Sequence, residues 1–227
     1  MENLHVSDNK RYLMKGSETF FWLADTGWLI FGNISEEEAY NYLKNRADKG
    51  FNVIQAVLVY STKELESVNK MYWGGADRIN DEEYWQHVER IIKMADKLGL
   101  YMALLPSWGS LLKNNLITSE NVLVYGRFLA ERLEKYSNII WVLGGDIKAD
   151  NYVEIYRKLG RYFKEKMPDK LITFHPFGRC ASSMWFADDS WLDFNMFQSG
   201  HRRYDQCNLG AWDDTDNPSY YGEDNWK

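Results

Sequence analysis

The sequence predicts an α/β protein of the (β/α)8 barrel type, carried through about six strand–helix units. Apolar runs of strand length alternate with amphipathic runs of helix length along most of the 227 residues. That alternation implies a parallel sheet with helical crossovers. Each apolar run also ends in residues able to touch a ligand: Asp25 and Trp28, Gln55, Trp108, Asp146, His175, then Gln198 and His201. A barrel brings all its strand ends to one face, whereas an open doubly wound sheet uses only those beside its switch point. The length suits one domain over residues 1–227 and is short for two.

The elements follow in order. Residues 5–16 read as a short β-hairpin turning at Asp8 and Asn9, suited to plug the N-terminal end of a barrel. Residues 20–24 form the first strong strand and lead into Asp25-Thr26-Gly27-Trp28. Ser35 and Glu38 have capping-box spacing. A helix therefore starts there and runs to Lys49, with Gly50 as its stop. Residues 51–59 are a second buried strand. The polar excursion 60–80 that follows is too long for a routine connection and reads as a lid or wall. Residues 82–98 form a helix with an apolar stripe at Trp85, Val88, Ile91, Ile92 and Ala95, closed by Gly99.

A third strand, 100–105, ends in Pro106-Ser107-Trp108-Gly109. A helix over about 119–136 precedes the strand 139–143, which runs into Gly144, Gly145 and Asp146. The helix 151–166 is stopped by Pro168. A fifth strand, 171–174, ends at His175, and a sixth, 194–197, ends at Gln198 and His201. A last helix is expected near 222–227.

Composition narrows the function. Lys and Arg number 27 against 33 Asp and Glu, a formal charge of −6. This balance argues against a nucleic-acid partner, which would favour a basic face. No run approaches the ~18 apolar residues of a membrane span. Ten tryptophans fit either a large core or a sugar cleft with flat aromatic walls. With Cys180 and Cys207 alone, no disulfide framework is implied. The first twenty residues carry no secretory signal pattern, which would mean a cytoplasmic protein if this is the native start and leaves the compartment open.

The strand-end residues combine carboxylates, imidazoles, an amide and indoles, a mixture suited to glycosidic bond cleavage, in which one carboxyl protonates the leaving oxygen. Asp146 is the acid candidate; an aromatic roof from Trp108 and Trp141 would desolvate it and favour the protonated acid. It could equally cap the turn after its strand. Asp25 fits a hydroxyl acceptor, a helper to the site or a buried loop anchor. His175 and His201 fit site-lining roles or core positions. A zinc site from His175, Cys180, His201 and Cys207 matches no structural spacing, and no G-x-S-x-G elbow exists for a serine nucleophile. No dinucleotide fingerprint or phosphate loop occurs, so no metal or cofactor is expected.

The segments Phe21-Trp22-Leu-Ala-Asp25-Thr26-Gly-Trp28, Gly50-Phe-Asn-Val-Ile-Gln55, Tyr84-Trp85, Leu105-Pro-Ser-Trp108-Gly109, Trp141-Val-Leu-Gly-Gly-Asp146, His175-Pro176 and Asp193-Phe-Asn-Met-Phe-Gln198-Ser-Gly-His201 together resemble the apiosidase-like glycoside hydrolases of family 140. The resemblance implies a (β/α)8 catalytic domain that removes sugars such as apiose from pectin side chains with retention. It also implies that Asp146, in the Gly-Gly-Asp motif, is the acid/base. The strand-end positions of Asp25, Trp28, Gln55, Trp108, His175, Gln198 and His201 in these matched motifs suggest sugar contacts. The family's nucleophile is a glutamate in an Asp-Gly-Glu-Pro-like motif on the seventh strand, and the 227 residues contain no such motif. The expectation is therefore an incomplete barrel that binds carbohydrate and turns it over weakly or not at all, and that self-associates or needs a missing C-terminal half. The alternatives are a non-catalytic carbohydrate-binding or split-enzyme module, or another retaining barrel glycosidase such as an endoglucanase.

Overall fold

The computed structural model describes residues 1–32, 34–60 and 81–199. An N-terminal antiparallel sheet, β1 (Leu4–Val6), β2 (Leu13–Lys15) and β3 (Glu18–Phe20), precedes a parallel sheet of five strands. The parallel strands are β4 (Ala24–Thr26), β5 (Val53–Val57), β6 (Tyr101–Leu105), β7 (Ile139–Ile147) and β8 (Ile172–Pro176), side by side in sequence order. The long connections carry α1 (Glu36–Asp48), α2 (Glu82–Lys97), α4 (Val122–Leu133) and α5 (Val153–Lys166). Two short helices, α3 (Ser110–Lys113) and α6 (Ser183–Phe186), were not foreseen from the sequence.

The strand order and the two cores identify the architecture. One sheet face, with Ile54, Met102, Leu104, Trp141 and Phe174, packs against Leu43, Trp85, Leu129 and Phe163 from the four long helices. The other face, with Val53, Val57, Tyr101, Ala103, Leu105, Ile140 and Val142, receives no helix among the described residues. Strands added consecutively with every helix on one face make the wall of a barrel. A doubly wound sheet reverses its strand order and carries helices on both faces. The N-terminal sheet plugs the interior as expected: Leu4 is 4% exposed within the inner cluster, and Phe20 meets Tyr101 at the start of β6 edge-on at 5.4 Å.

Local sequence explains the helices well. Ser35 caps α1 through the reciprocal capping box with Glu38, and Gly50 takes φ +83° beyond its end, a conformation in which glycine carries no Cβ penalty. All five residues of the expected α2 stripe are fully buried. α4 begins at Val122, three residues later than expected, because Asn121 uses its side chain on Thr118 N–H and Leu116 C=O in the turn before it.

Three strand expectations need correction. The first parallel strand is 24–26, not 20–24; Phe21 is 76% exposed, and Asn52 instead hydrogen-bonds Phe21 C=O and Leu23 N–H. β7 continues through both glycines and Asp146, with a register shift between Gly144 and Ile147. The sixth strand, 194–197, is not formed as a ladder. Met196 C=O and both backbone groups of Gln198 are taken by Ser182, Cys180 and Arg179 of the β8–α6 loop, leaving one antiparallel bridge between Ala181 and Phe197. Most of the polar excursion, the final helix, His201 and Cys207 lie outside the described residues.

Candidate active site

The site is built on a bulge. Gly144, Gly145 and Asp146 all have positive φ, +98°, +109° and +45°. A Cβ on Gly144 would lie 2.3 Å from His175 O, and one on Gly145 2.8 Å from Trp108 Cε3. Glycines here let β7 approach both neighbouring strand ends. Gly109 completes the fit: its N–H donates to Gly145 C=O at 3.1 Å, and a Cβ there would sit 2.5 Å from that oxygen. The result places Asp146 on the carboxyl end of the sheet in a left-handed conformation that Asp tolerates better than most residues.

Asp146 is half-buried, its side chain 39% exposed. Gln198 Nε2 donates to Asp146 Oδ1 at 3.0 Å, and His175 Nδ1 accepts the Asp146 backbone N–H at 3.4 Å. Accepting at Nδ1 assigns the proton of a neutral His175 to Nε2. The His175 ring is 5.6 Å from Trp28 and 5.9 Å from Trp108, and the two indoles lie 5.4 Å apart. Tyr60 adds a fourth ring, 5.3 Å from Trp108. Burial, with a further push from the negative charge of Asp146, raises the Tyr60 phenol above its usual range, so it is neutral and can donate. Gln55, paired between Thr26 and Ala103 on the inner face, presents a buried Oε1 without a hydrogen-bond donor among the described residues, as does Gln198. Such orphaned acceptors are rare in finished structures and suit a place where a donor arrives from outside.

The residues named from the sequence divide as follows. Asp146, Trp28, Trp108, His175 and Gln198 come together, and Gln55 lies on the same inner face. Asp25 does not join them. It pairs with Ile54, a residue of the helix-side core, so its side chain points outward. There it accepts from Tyr42 at 3.1 Å and meets Arg46 at 3.2 Å, both on α1. This outward geometry does not suit a surrogate nucleophile opposite Asp146. Trp141 also faces the helices, stacked on Phe163 at 4.5 Å, and roofs nothing. His201 lies outside the described residues. Tyr60 was missed, although an aromatic residue directly after a buried strand was a usable signal.

The sequence matches the apiosidase-like catalytic domain over residues 7–227. No curated protein gave a match. Among solved structures, a glycoside hydrolase family 5 protein from Bacteroides vulgatus is 38% identical, with a TM-score of 0.80 over 90% of this chain and 46% of its own. Another, described as a glycoside hydrolase, is also 38% identical, with a TM-score of 0.82 over 94% of this chain and 49% of its own. The endo-1,4-β-mannanase from Rhizomucor miehei shares the fold at 8% identity, TM-score 0.57, over 76% of this chain and 60% of its own. The chain thus spans about half the length of the two more similar structures. A family match over nearly the whole sequence, together with a one-sided parallel sheet whose strand ends gather an acid and aromatic walls, places this chain in the apiosidase-like catalytic-domain family of glycoside hydrolases.

Proposed function

We propose that Asp146 is the general acid/base of a retaining glycoside hydrolase site acting on sugars of plant cell-wall pectin side chains. The observation that carries this reading is the bulge. Three successive positive φ values hold one carboxylate at a barrel strand end, where Gln198 donates to it and His175, flanked by two indoles, accepts its backbone N–H. Asp146 is the one non-glycine of the three; strain of this kind, about 1–3 kcal/mol, persists where the surrounding structure enforces it and concentrates at functional sites.

The chemistry follows from the geometry. Gln198 donates to Oδ1, so the transferable proton belongs on Oδ2. From there it passes to the glycosidic oxygen as the bond to the anomeric carbon breaks, leaving the ionised carboxylate that Gln198 stabilises. Trp28 and Trp108 supply apolar faces for sugar C–H groups, and Gln55, Gln198 and Tyr60 offer acceptors and a donor to its hydroxyls. A retaining mechanism needs a second carboxyl about 5–5.5 Å from the first. Asp25 points away, and the sequence has no Asp-Gly-Glu-Pro-like segment.

Two measurements test this. Sugar binding followed by tryptophan fluorescence is expected in the wild type and lost in Trp108→Ala. Release of reducing sugar from a panel of pectic polysaccharides, however slow, is expected to fall about 100-fold in Asp146→Asn, with sugar affinity kept within about twofold. Turnover unaffected by Asp146→Asn overturns the assignment. Binding without any turnover favours the non-catalytic carbohydrate-binding reading.

A further inference from the structure

At the end of the sheet opposite Asp146, a cleft of about 270 Å³ opens between the N-terminal sheet and the turn that leads from α5 into β8. Its walls carry His5 from β1, Lys164 from α5, and Asp169 and Lys170 from that turn. We propose that this cleft is a binding site for a small oxyanion, a phosphate or a carboxylate, held on the Lys170 ammonium. The inference is independent of the sugar reading of the Asp146 mouth.

Lys170 is the observation that carries it. The residue is 6% exposed. Its Nζ donates to Tyr136 C=O at 2.6 Å and to Asn3 Oδ1 at 3.2 Å, and both acceptors are neutral. An ammonium has three N–H groups, so one of them lacks an acceptor among the described residues, and no carboxylate there pairs with it. Glu89 and Asp189, buried to a similar degree, each meet two cations within 3.5 Å. A buried charge without a counter-charge is costly. Burial accordingly pulls the Lys170 ammonium below its usual range, and the nearby Asp169 charge opposes this only in part.

The surroundings select an anion. Lys164 lines the same cleft, and its charge is matched by Asp193, whose two oxygens each accept from it at 2.8 Å. That pair is neutral as a unit, which leaves Lys170, Asp169 and the His5 imidazole to set the chemistry. Asp169 is exposed and within electrostatic reach of Lys170 without forming an ion pair, so it opposes an incoming anion from the rim. A cation or an apolar guest would leave the Lys170 charge uncompensated. The volume lies just below the ~300–1,000 Å³ of ordinary ligand pockets, which suits a phosphate or a short carboxylic acid. Because Asn3 and Tyr136 hold the ammonium from the N-terminal segment and from beyond α4, occupancy would tie the plug to the barrel wall.

The test titrates the 227-residue chain with inorganic phosphate, acetate and chloride at constant ionic strength. Affinity is read by calorimetry, and folding of each variant by its thermal midpoint. Saturable binding of an oxyanion is expected with a Kd of about 1 mM, and chloride at least about tenfold weaker. Tighter binding of phosphate or of acetate supports the site in either case, and the order names the source of the oxyanion. Lys170→Gln should lose at least about tenfold in affinity, the loss of a hydrogen bond to a charged group. Asp169→Asn, an exposed change, should bind about threefold tighter, and Lys113→Gln on α3, at the other end of the sheet, should change nothing. No saturable binding of either oxyanion, or binding that Lys170→Gln leaves intact, overturns the site. If Lys170→Gln does not fold, Asp169→Asn decides, and an affinity that fails to rise in it overturns the proposal.

Discussion

Gly144 and Asp146 show how a few residues set the site. Gly144 combines a positive φ with a neighbouring carbonyl where a side chain would be, so neither strain nor space allows a larger residue. Gly144→Ala is expected to destabilise the protein by at least about 2 kcal/mol and to weaken sugar binding through displacement of Asp146. Urea unfolding of the two proteins checks this; equal midpoints would show that the bulge is not enforced. The motif Gly-Gly-Asp was legible in the sequence as a strand end with a close approach. The partners of Asp146 were not, since Gln198 lies 52 residues away.

At the scale of elements, the segment after α6 matters most. Asp193 accepts from Lys164 at 2.8 Å with both oxygens and from Ile172 N–H at 2.7 Å, tying α5 to the first residue of β8. Burial raises its pKa even against the pull of Lys164 and the Ile172 N–H. Asp193→Ala would strand the buried Ile172 N–H and leave the Lys164 ammonium with Lys170 C=O alone among these acceptors. A loss of about 2–3 kcal/mol is expected, measurable by denaturant unfolding, with Asp193→Asn retaining part of it. The same segment explains the missing sixth strand. Its apolar pattern suits a strand, and only competition from the β8–α6 loop for its backbone groups decides otherwise. On the opposite side, Phe21 and Leu23 are 76% and 40% exposed beside β4, which has no ladder partner on its outer edge among the described residues. An exposed apolar edge favours association. We expect self-association of the 227-residue chain by analytical ultracentrifugation, reduced in the double variant Phe21→Lys, Leu23→Lys; an unchanged distribution would exclude this edge.

For the molecule as a whole, buried tyrosines dominate the response to alkali. Burial raises Tyr42, Tyr101, Tyr125, Tyr136 and Tyr156 above the usual phenol range, Tyr101 to about 12. A raised phenol pKa means that the folded state holds the proton more tightly than the unfolded chain does. Its contribution is complete below about pH 10, the unfolded value, and is lost as pH climbs toward the folded one. Unfolding free energy should therefore be level near pH 9 and fall steeply by about pH 11. Tyr101→Phe should flatten part of that slope; a level profile across the range would contradict the burial.

What the sequence determined by itself was the alternation of strand and helix, the capped starts and glycine stops of α1 and α2, and a set of strand-end residues chemically able to touch a ligand. These are local patterns, written in spacing and in residue types that suit one conformation. Tertiary structure decided which of those strand ends meet. Asp25 and Trp141 turned to the helix side because a strand alternates its faces, and the register that fixes the face comes from pairing with neighbours. Gly109, His175 and Gln198, from three other segments, close around Asp146 and its bulge.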